Sequence, residues 1–233
     1  MDLRKLRQDA IEFTKEQMQL AITPDTFIIQ ASAHAEELQQ TMNKHFKRLR
    51  DWYDLYCPEL SRNTQEMQEF LRLAKLPREE ILSELDLEET IGKDFEDQFY
   101  YQRIIKLLET LSTELDILEK DIKKSMKKHM PNLTAVCGGV IGARLLRFAG
   151  SLQQMAEFPA STIQILGAEK ALFRHLKTGA RPPKYGALLA HEYVADAPDP
   201  ARAARKMADK ISIAAKVDYF KGEFVGDKLA DQL

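Results

Sequence analysis

Apolar and polar positions alternate along this chain in a way that marks two long helical stripes. Ala31, Ala35, Leu38, Met42, His45, Leu49, Trp52 and Tyr56 follow one another in steps of four and three. That spacing puts side chains on one helix face and, when sustained, forms a heptad seam. The stripe should stop at Pro58, because proline disfavours helical geometry at its predecessor and has no backbone N–H to donate. A second stripe, Ile104, Leu108, Leu111, Leu115, Leu118, Ile122 and Met126, predicts a helix from about Lys93 to Met130. Two shorter helical segments, Thr64 to Leu76 and Arg78 to Leu85, connect the stripes. Ahead of both, Asp2 to about Ala21 has helical composition and ends at Thr23-Pro24-Asp25, which predicts a lead-in helix.

Two seams joined by a connector can cover each other by folding back as a long antiparallel coiled-coil hairpin arm. Facing a globular core, or pairing two chains, would satisfy the same stripes. His45 stands in the seam, where it reads as a packed or register-setting polar residue and not a ligand. Past Pro131 the pattern changes: glycines recur at 138, 139, 142, 150, 167, 179 and 186, aliphatic runs shorten, and Pro182-Pro183 marks a loop. The expected organisation is all-α, with a lead-in helix over 1–26, a coiled-coil arm over 27–130 and a compact helical domain over 131–233.

Composition supports the helical reading, since 30% of the residues are charged and the chain holds only 10 Gly and 9 Pro. No run of 18 apolar residues occurs and the first residues lack a signal-like apolar stretch, so a cytoplasmic protein without a membrane span is expected. Cys57 and Cys137 are far apart and have no second Cys or spaced His beside them, which predicts ordinary buried thiols. Charge divides along the chain: residues 1–130 carry 20 Lys+Arg against 26 Asp+Glu, and residues 131–233 carry 14 against 10. Within 142–186, Arg144, Arg147, Lys170, Arg174, Lys177, Arg181 and Lys184 face only Glu157 and Glu169. A local excess of this kind favours a polyanion, although charge alone also describes a solvated face.

Most candidate chemistry fails. Cys137-Gly138-Gly139-Val140-Ile141-Gly142 approaches a dinucleotide fingerprint, but Cys137 replaces its first glycine and a helix, not a strand, precedes it. Small residues there suit close helix packing. Asn132-Leu133-Thr134 fits a glycosylation acceptor only in an exported protein. The carboxylates of Glu79-Glu80 and Asp86 to Glu89 read as solvated surface, and the five histidines are scattered. No catalytic residue, no metal and no cofactor is expected.

The informative segment runs from Pro159 to Val194. Gly167 precedes a helical pattern from Ala168 to Lys177, with Glu169 in its first turn, Lys177 in its last, and Gly179 with Pro182-Pro183 as a stop. Lys170, Arg174 and Lys177 fall at i, i+4 and i+7 and form one basic stripe, while Leu172 and Leu176 mark a different face available to the core. Free N–H groups at Gly167 and Ala168 beside that stripe would make a phosphate-binding edge. Arg181, Lys184 and Tyr185 in the following loop add charge and an aromatic plane for an unstacked base. RNA or another phosphate polymer, or a solvated basic face, both fit these residues.

The same segment carries a resemblance. Gly142 to Leu146, Ala149-Gly150-Ser151-Leu152, Phe158 to Gln164, Gly167 to Leu176 and Pro182-Pro183-Lys184-Tyr185-Gly186 closely resemble the Nop domain of box C/D ribonucleoproteins. The likeness continues through Ala201-Arg202 and Phe224 to Asp227, and in the arm through Leu49 to Tyr53 and Pro58-Glu59-Leu60, covering about Phe27 to Leu229. The resemblance implies a compact Nop domain after a coiled-coil arm that self-associates or meets a paralogue. It also implies a non-catalytic scaffold that binds a composite surface of kink-turn RNA and its small ribosomal-protein-like binder, as in guide ribonucleoproteins for RNA 2′-O-methylation. Gly167, Ala168, Glu169 and Lys170 would lie at that contact with Arg174 beside them, Lys184 and Tyr185 would occupy the adjoining loop, and Arg144, Arg147, His175, Lys177 and Arg181 complete the candidate set. Full-length members carry an N-terminal domain that docks fibrillarin; only a short lead-in precedes the arm here, which reads either as a truncated form or as a stand-alone relative without that partner, and puts fibrillarin in doubt. The competing reading is a coiled-coil protein-interaction module with an inert basic face.

Overall fold

The computed structural model describes residues 3–94 and 99–233, and every regular element among them is helical. In chain order these are α1 (Leu3–Leu20), α2 (Pro24–Tyr56), α3 (Pro58–Asn63), α4 (Met67–Leu73), α5 (Arg78–Glu84), α6 (Phe99–His129), α7 (Pro131–Cys137), α8 (Gly139–Ala149), α9 (Leu152–Glu157), α10 (Ala160–Ile165), α11 (Glu169–Thr178), α12 (Glu192–Ala195), α13 (Pro200–Tyr219) and α14 (Gly226–Ala230), with a 3₁₀ turn at Ala187–Ala190. Prolines open α2, α3, α7 and α13, where the missing N–H costs nothing because the first turn has no intrahelical acceptor. Pro24 therefore starts a helix as well as ending its predecessor. The expected start of the second long helix at Lys93 is too early: the Lys93 N–H donates to the Leu55 carbonyl at 2.9 Å, and residues 92–94 are not helical. Residues 95–98 lie outside the described set.

The chain forms two compact units, one of residues 35–118 and one of residues 1–34 with 119–233. In the first, both apolar stripes enter a single core: Met42, Leu49, Tyr53 and Tyr56 from α2, Phe70, Leu71, Ile81 and Leu82 from the connector helices, and Tyr101, Ile105, Leu108 and Leu115 from α6. Tyr53 is its centre. Its ring meets Phe70 at 5.2 Å and Tyr101 at 5.4 Å edge-on, a preferred aromatic geometry, and its hydroxyl donates to the Ala74 carbonyl at 2.7 Å. Burial pushes the Tyr53 phenol well above its usual pKa, so it stays a neutral donor. His45 is half-buried on the seam.

In the second unit α13 is the central helix. Ala203, Ala204, Ala208, Ala214 and Ala215 are buried on it, and these small side chains let other helices approach closely around Met207 and Ile211. Near its end the buried Asp218 carboxylate accepts the Asn132 N–H at 3.1 Å, the Asn132 amide at 2.7 Å and the Leu133 N–H at 2.8 Å. It thereby satisfies the start of α7, which has no cap from its own preceding residue. Asn132 also accepts from the Val225 N–H at 2.7 Å. With both ends of its amide engaged and 2% of its surface exposed, Asn132 is unavailable for glycosylation. Asp25 plays the same part for α9, accepting the Leu152 N–H at 2.8 Å beside the Ser151 cap, and so ties the base of α2 to this unit. Cys137 is wholly buried, and burial raises its thiol pKa; Cys57 is buried in the first unit.

Candidate nucleic-acid interface

Three structural pieces of the second unit converge on the start of α11. Leu166 and Gly167 lead into the helix, and Gly167 adopts φ +86, a left-handed value that glycine takes at no steric cost. A Cβ there would sit 2.9 Å from the Phe148 ring, so the residue also has to be glycine for α8 to come this close. The Arg147 guanidinium lies 4.8 Å from that ring's centroid. The loop after α11 returns to the same place. The Gly186 N–H donates to the Gln164 carbonyl at 3.0 Å, the Ala187 N–H donates to the Leu166 carbonyl at 2.7 Å, and the Gln164 amide donates to the Lys184 carbonyl at 2.6 Å. Gln164 and Gly186 together hold Lys184 and Tyr185 next to the strand of chain that enters α11. Sequence reasoning gave neither of them a role.

The helix itself buries none of its residues. At 100° per residue, Lys170, Arg174 and Lys177 share one exposed stripe, as expected. The expectation for Leu176 is corrected: it is 69% exposed, and Phe173, one turn earlier, is 60% exposed. Only Leu172 of the two leucines is half-buried. The docked side is instead made of Ala168, Ala171, Leu172 and His175. The result is a helix whose outward surface places a cationic stripe directly beside an uncovered apolar pair.

A second correction concerns the phosphate edge. The Gly167 N–H is taken at 2.7 Å by the Glu169 carboxylate, which folds back over the helix start, and the Ala168 N–H donates to the Ile165 carbonyl at 2.9 Å. Neither is free, so the anion-binding capacity rests on the cationic stripe. His175 likewise faces inward: its Nδ1 meets the Ala180 carbonyl, which can only accept, so Nδ1 carries the proton and the ring closes the far end of α11. Gly179 at φ +68 completes that stop. Of the remaining candidates, Arg181 and Lys184 are exposed, Tyr185 is half-buried, and Arg144 stands one turn before Arg147 on α8, also half-buried.

In the first unit a cleft of about 850 Å³ lies between Arg78, Lys106 and Tyr101, but Glu79, Asp94 and Glu109 offset its positive charge, and Lys75 is ion-paired to Glu109. No group of three or more His, Cys, Asp or Glu side chains able to hold a metal ion is found among the described residues, and no helix is long and apolar enough to cross a membrane.

Comparison with known proteins agrees with the all-α fold. A family model, Nop, described as a snoRNA binding domain, fibrillarin, matches residues 34–233. An uncharacterized NOP5 family protein of Methanocaldococcus jannaschii is 33% identical over 99% of this chain and 61% of its own length. Nucleolar protein 56 of Dictyostelium discoideum is 36% identical over 84% of this chain and 41% of its own length, and that of Homo sapiens is 32% identical over 90% and 40%. The chain thus spans from two fifths to three fifths of these relatives. A crystal structure of a fibrillarin/Nop5p complex has the same fold, with a TM-score of 0.59 at 23% identity, covering 98% of this chain and 74% of that one.

Proposed function

The chain belongs to the Nop family, and from that membership we propose that it is a non-catalytic scaffold which grips RNA and protein together. Its target is a composite surface made of a kink-turn RNA and the small ribosomal-protein-like binder of that RNA, within a box C/D guide ribonucleoprotein for 2′-O-methylation. The observation that carries this reading is the outward surface of α11. Lys170, Arg174 and Lys177 suit phosphates, and Phe173 and Leu176, uncovered in the chain itself, suit an apolar protein surface. A leucine offers a nucleic acid neither charge nor a stacking plane, so Leu176, exposed beside Phe173, favours a protein surface as the second half of the contact. Lys184 and Tyr185, fixed beside the helix start, add a phosphate contact and a stacking plane. The arm of residues 27–130 pairs with a second copy or a paralogue, leaving the Nop domain to hold the RNA.

The test separates the two halves of the surface. In a gel-shift assay the full chain should form a ternary complex with kink-turn RNA and its binder, and should bind that RNA alone more weakly. Lys170→Glu with Arg174→Glu should reduce affinity and flatten its salt dependence, by about 0.9 in the log–log slope for each lost phosphate contact. Phe173→Ala with Leu176→Ala should weaken the ternary complex while leaving the salt slope unchanged. Equal affinity for an unkinked duplex, or indifference of the ternary complex to both double variants, would sink the proposal.

A further inference from the structure

The end of α6 carries a second cationic surface that the α11 reading does not use. Lys120, Lys123, Lys124, Lys127 and Lys128 are all exposed within nine residues, facing away from the buried Ile122 and Met126. Lys120, Lys124 and Lys127 repeat the i, i+4, i+7 spacing of Lys170, Arg174 and Lys177, so three of the five form one stripe with Lys123 and Lys128 on its flanks. Acidic residues beside them are Glu119 and Asp121, and among the described residues the ridge makes one ion pair, Lys123 to Glu119 at 3.7 Å. Cations near a helix C-terminus are favoured by the helix dipole, but that effect fades within the last turn. The ridge extends over two turns, and Lys120 and Lys123 lie beyond its reach.

The ridge is also positioned relative to α11. The start of α8 packs directly on it: a Cβ at Gly139 would lie 2.8 Å from the Lys123 Cα, and the first turn of α8 contains no acidic residue to offset the lysines. At the other end of α8, Phe148 packs against Gly167 at the entry to α11. Eleven residues of helix rise about 15 Å. Arg144 and Arg147 stand on α8 between the two ends. Cationic groups thus stand on α6, α8 and α11 of one compact unit, with α8 packed against the ridge at one end and against the entry to α11 at the other.

We propose that the α6 lysine ridge is a sequence-independent contact for an RNA backbone, and that it takes the duplex stem flanking the RNA held at α11. The ridge rises about 12 Å; a DNA duplex carries about seven charges over that length and the more compact A-form RNA stem somewhat more, so all five lysines have phosphates within their span. Mobile cationic side chains suit this task because a stem presents phosphates and no fixed base pattern. The proposal rests on the α11 reading for the identity of the RNA; the ridge's capacity for a duplex stands on its own charge.

The experiment uses the full chain with kink-turn RNA and its binder, once with a stem of about 12 base pairs beyond the kink and once with the stem cut to about 4, titrated at several KCl concentrations. A plain 20-base-pair RNA duplex is the third probe. Lys124→Gln, Lys127→Gln and Lys128→Gln together should weaken the long-stem complex on the order of 100-fold at 0.1 M salt and lower its log–log slope by roughly 2 to 3, at about 0.9 per contact. The short-stem complex should change less than about twofold, plain-duplex binding should weaken, and the corresponding triple arginine variant should restore both. An unchanged slope with the long stem, or equal losses with both stems, overturns the proposal. The α11 variants report separately: if they leave kink-turn binding intact while the ridge variant weakens plain-duplex binding, the composite-surface reading falls and the ridge stands.

Discussion

Replacing Gly186 with alanine would test how the loop is fixed beside α11. The added Cβ would lie 2.0 Å from the Leu166 carbonyl oxygen, 2.7 Å from the carbonyl carbon and 2.8 Å from the Ile165 oxygen. Non-bonded carbons settle at about 3.5 to 4.0 Å, and all three neighbours are backbone, so no rotamer change relieves the clash. The two chain segments must part by roughly 1 Å or more, judged against that contact distance. A separation of that size breaks the Gly186-to-Gln164 and Ala187-to-Leu166 hydrogen bonds, now 3.0 and 2.7 Å. Each contributes about 0.5 to 1.5 kcal/mol net, so the expected loss is about 1 to 3 kcal/mol. For a chain of this size that lowers the unfolding midpoint by roughly 2 to 12 °C. Urea denaturation followed by circular dichroism reads the stability, and the ternary-complex gel shift reads the site, where displaced Lys184 and Tyr185 should weaken binding. Gly138→Ala is the control. Gly138 sits at φ +72 with nothing within 4 Å of its Cβ position, so alanine there strains the backbone by about 1 to 3 kcal/mol and should leave binding unchanged. A loss below about 0.5 kcal/mol in Gly186→Ala, with binding intact, would refute this account of the loop.

Two further perturbations probe the scaffold beneath the site. Asp218→Asn should destabilise the protein by roughly 2 to 3 kcal/mol in urea denaturation, because the new amide turns a donor toward N–H groups the carboxylate now satisfies; a loss under about 1 kcal/mol would count against its role as the α7 cap. His191 accepts the Tyr193 N–H through Nδ1, and burial lowers its pKa despite the neighbouring Glu192. Its folded pKa is thus below the unfolded value of about 6.5, so its contribution is complete above that pH and is lost as pH falls through the folded pKa. His191→Asn keeps a capping oxygen, and a plot of stability against pH should then be flatter below pH 6.5 than for the unaltered chain; an identical slope would argue against His191 as its source.

Local periodicity was enough to find both long helices and the proline boundaries, because each depends on neighbours within four residues. The misplaced start of the second helix depends on something else. Gly92 lies against the Tyr56 carbonyl, where a Cβ would be 2.1 Å away, and the Lys93 N–H bonds to Leu55, so residues nearly forty positions earlier hold this stretch out of a helix. At α11 the span from Ala168 to Lys177 was right to within one residue of the observed Glu169–Thr178. The apolar face was misassigned because an apolar stripe shows that a face seeks cover and not which molecule supplies it. The α6 lysines were plain in the sequence as well, but they fell in a stretch whose total charge is negative, and averaging hid them.

The candidate residues on and beside α11 divide by what they do. Glu169 is spent on the Gly167 N–H and His175 on the Ala180 carbonyl, so both serve the helix, and Arg147 lies over the ring on which Gly167 rests. A ten-residue helix with no fully buried residue is marginal in isolation, so these end contacts join the docked side of Ala171 and Leu172 in keeping it formed. Under the proposed function the backbone beneath Lys170, Arg174 and Lys177 is then ordered before a ligand arrives, and only the side chains remain to be ordered on binding. Weakening an end without changing charge, as in Gly179→Ala at φ +68, should therefore reduce RNA affinity while leaving its salt slope intact, since every phosphate contact survives in the bound state. Removing a cation from the stripe must lower both. That contrast separates the residues that hold the site from those proposed to touch the RNA, although all of them lie within one short, motif-rich stretch of sequence.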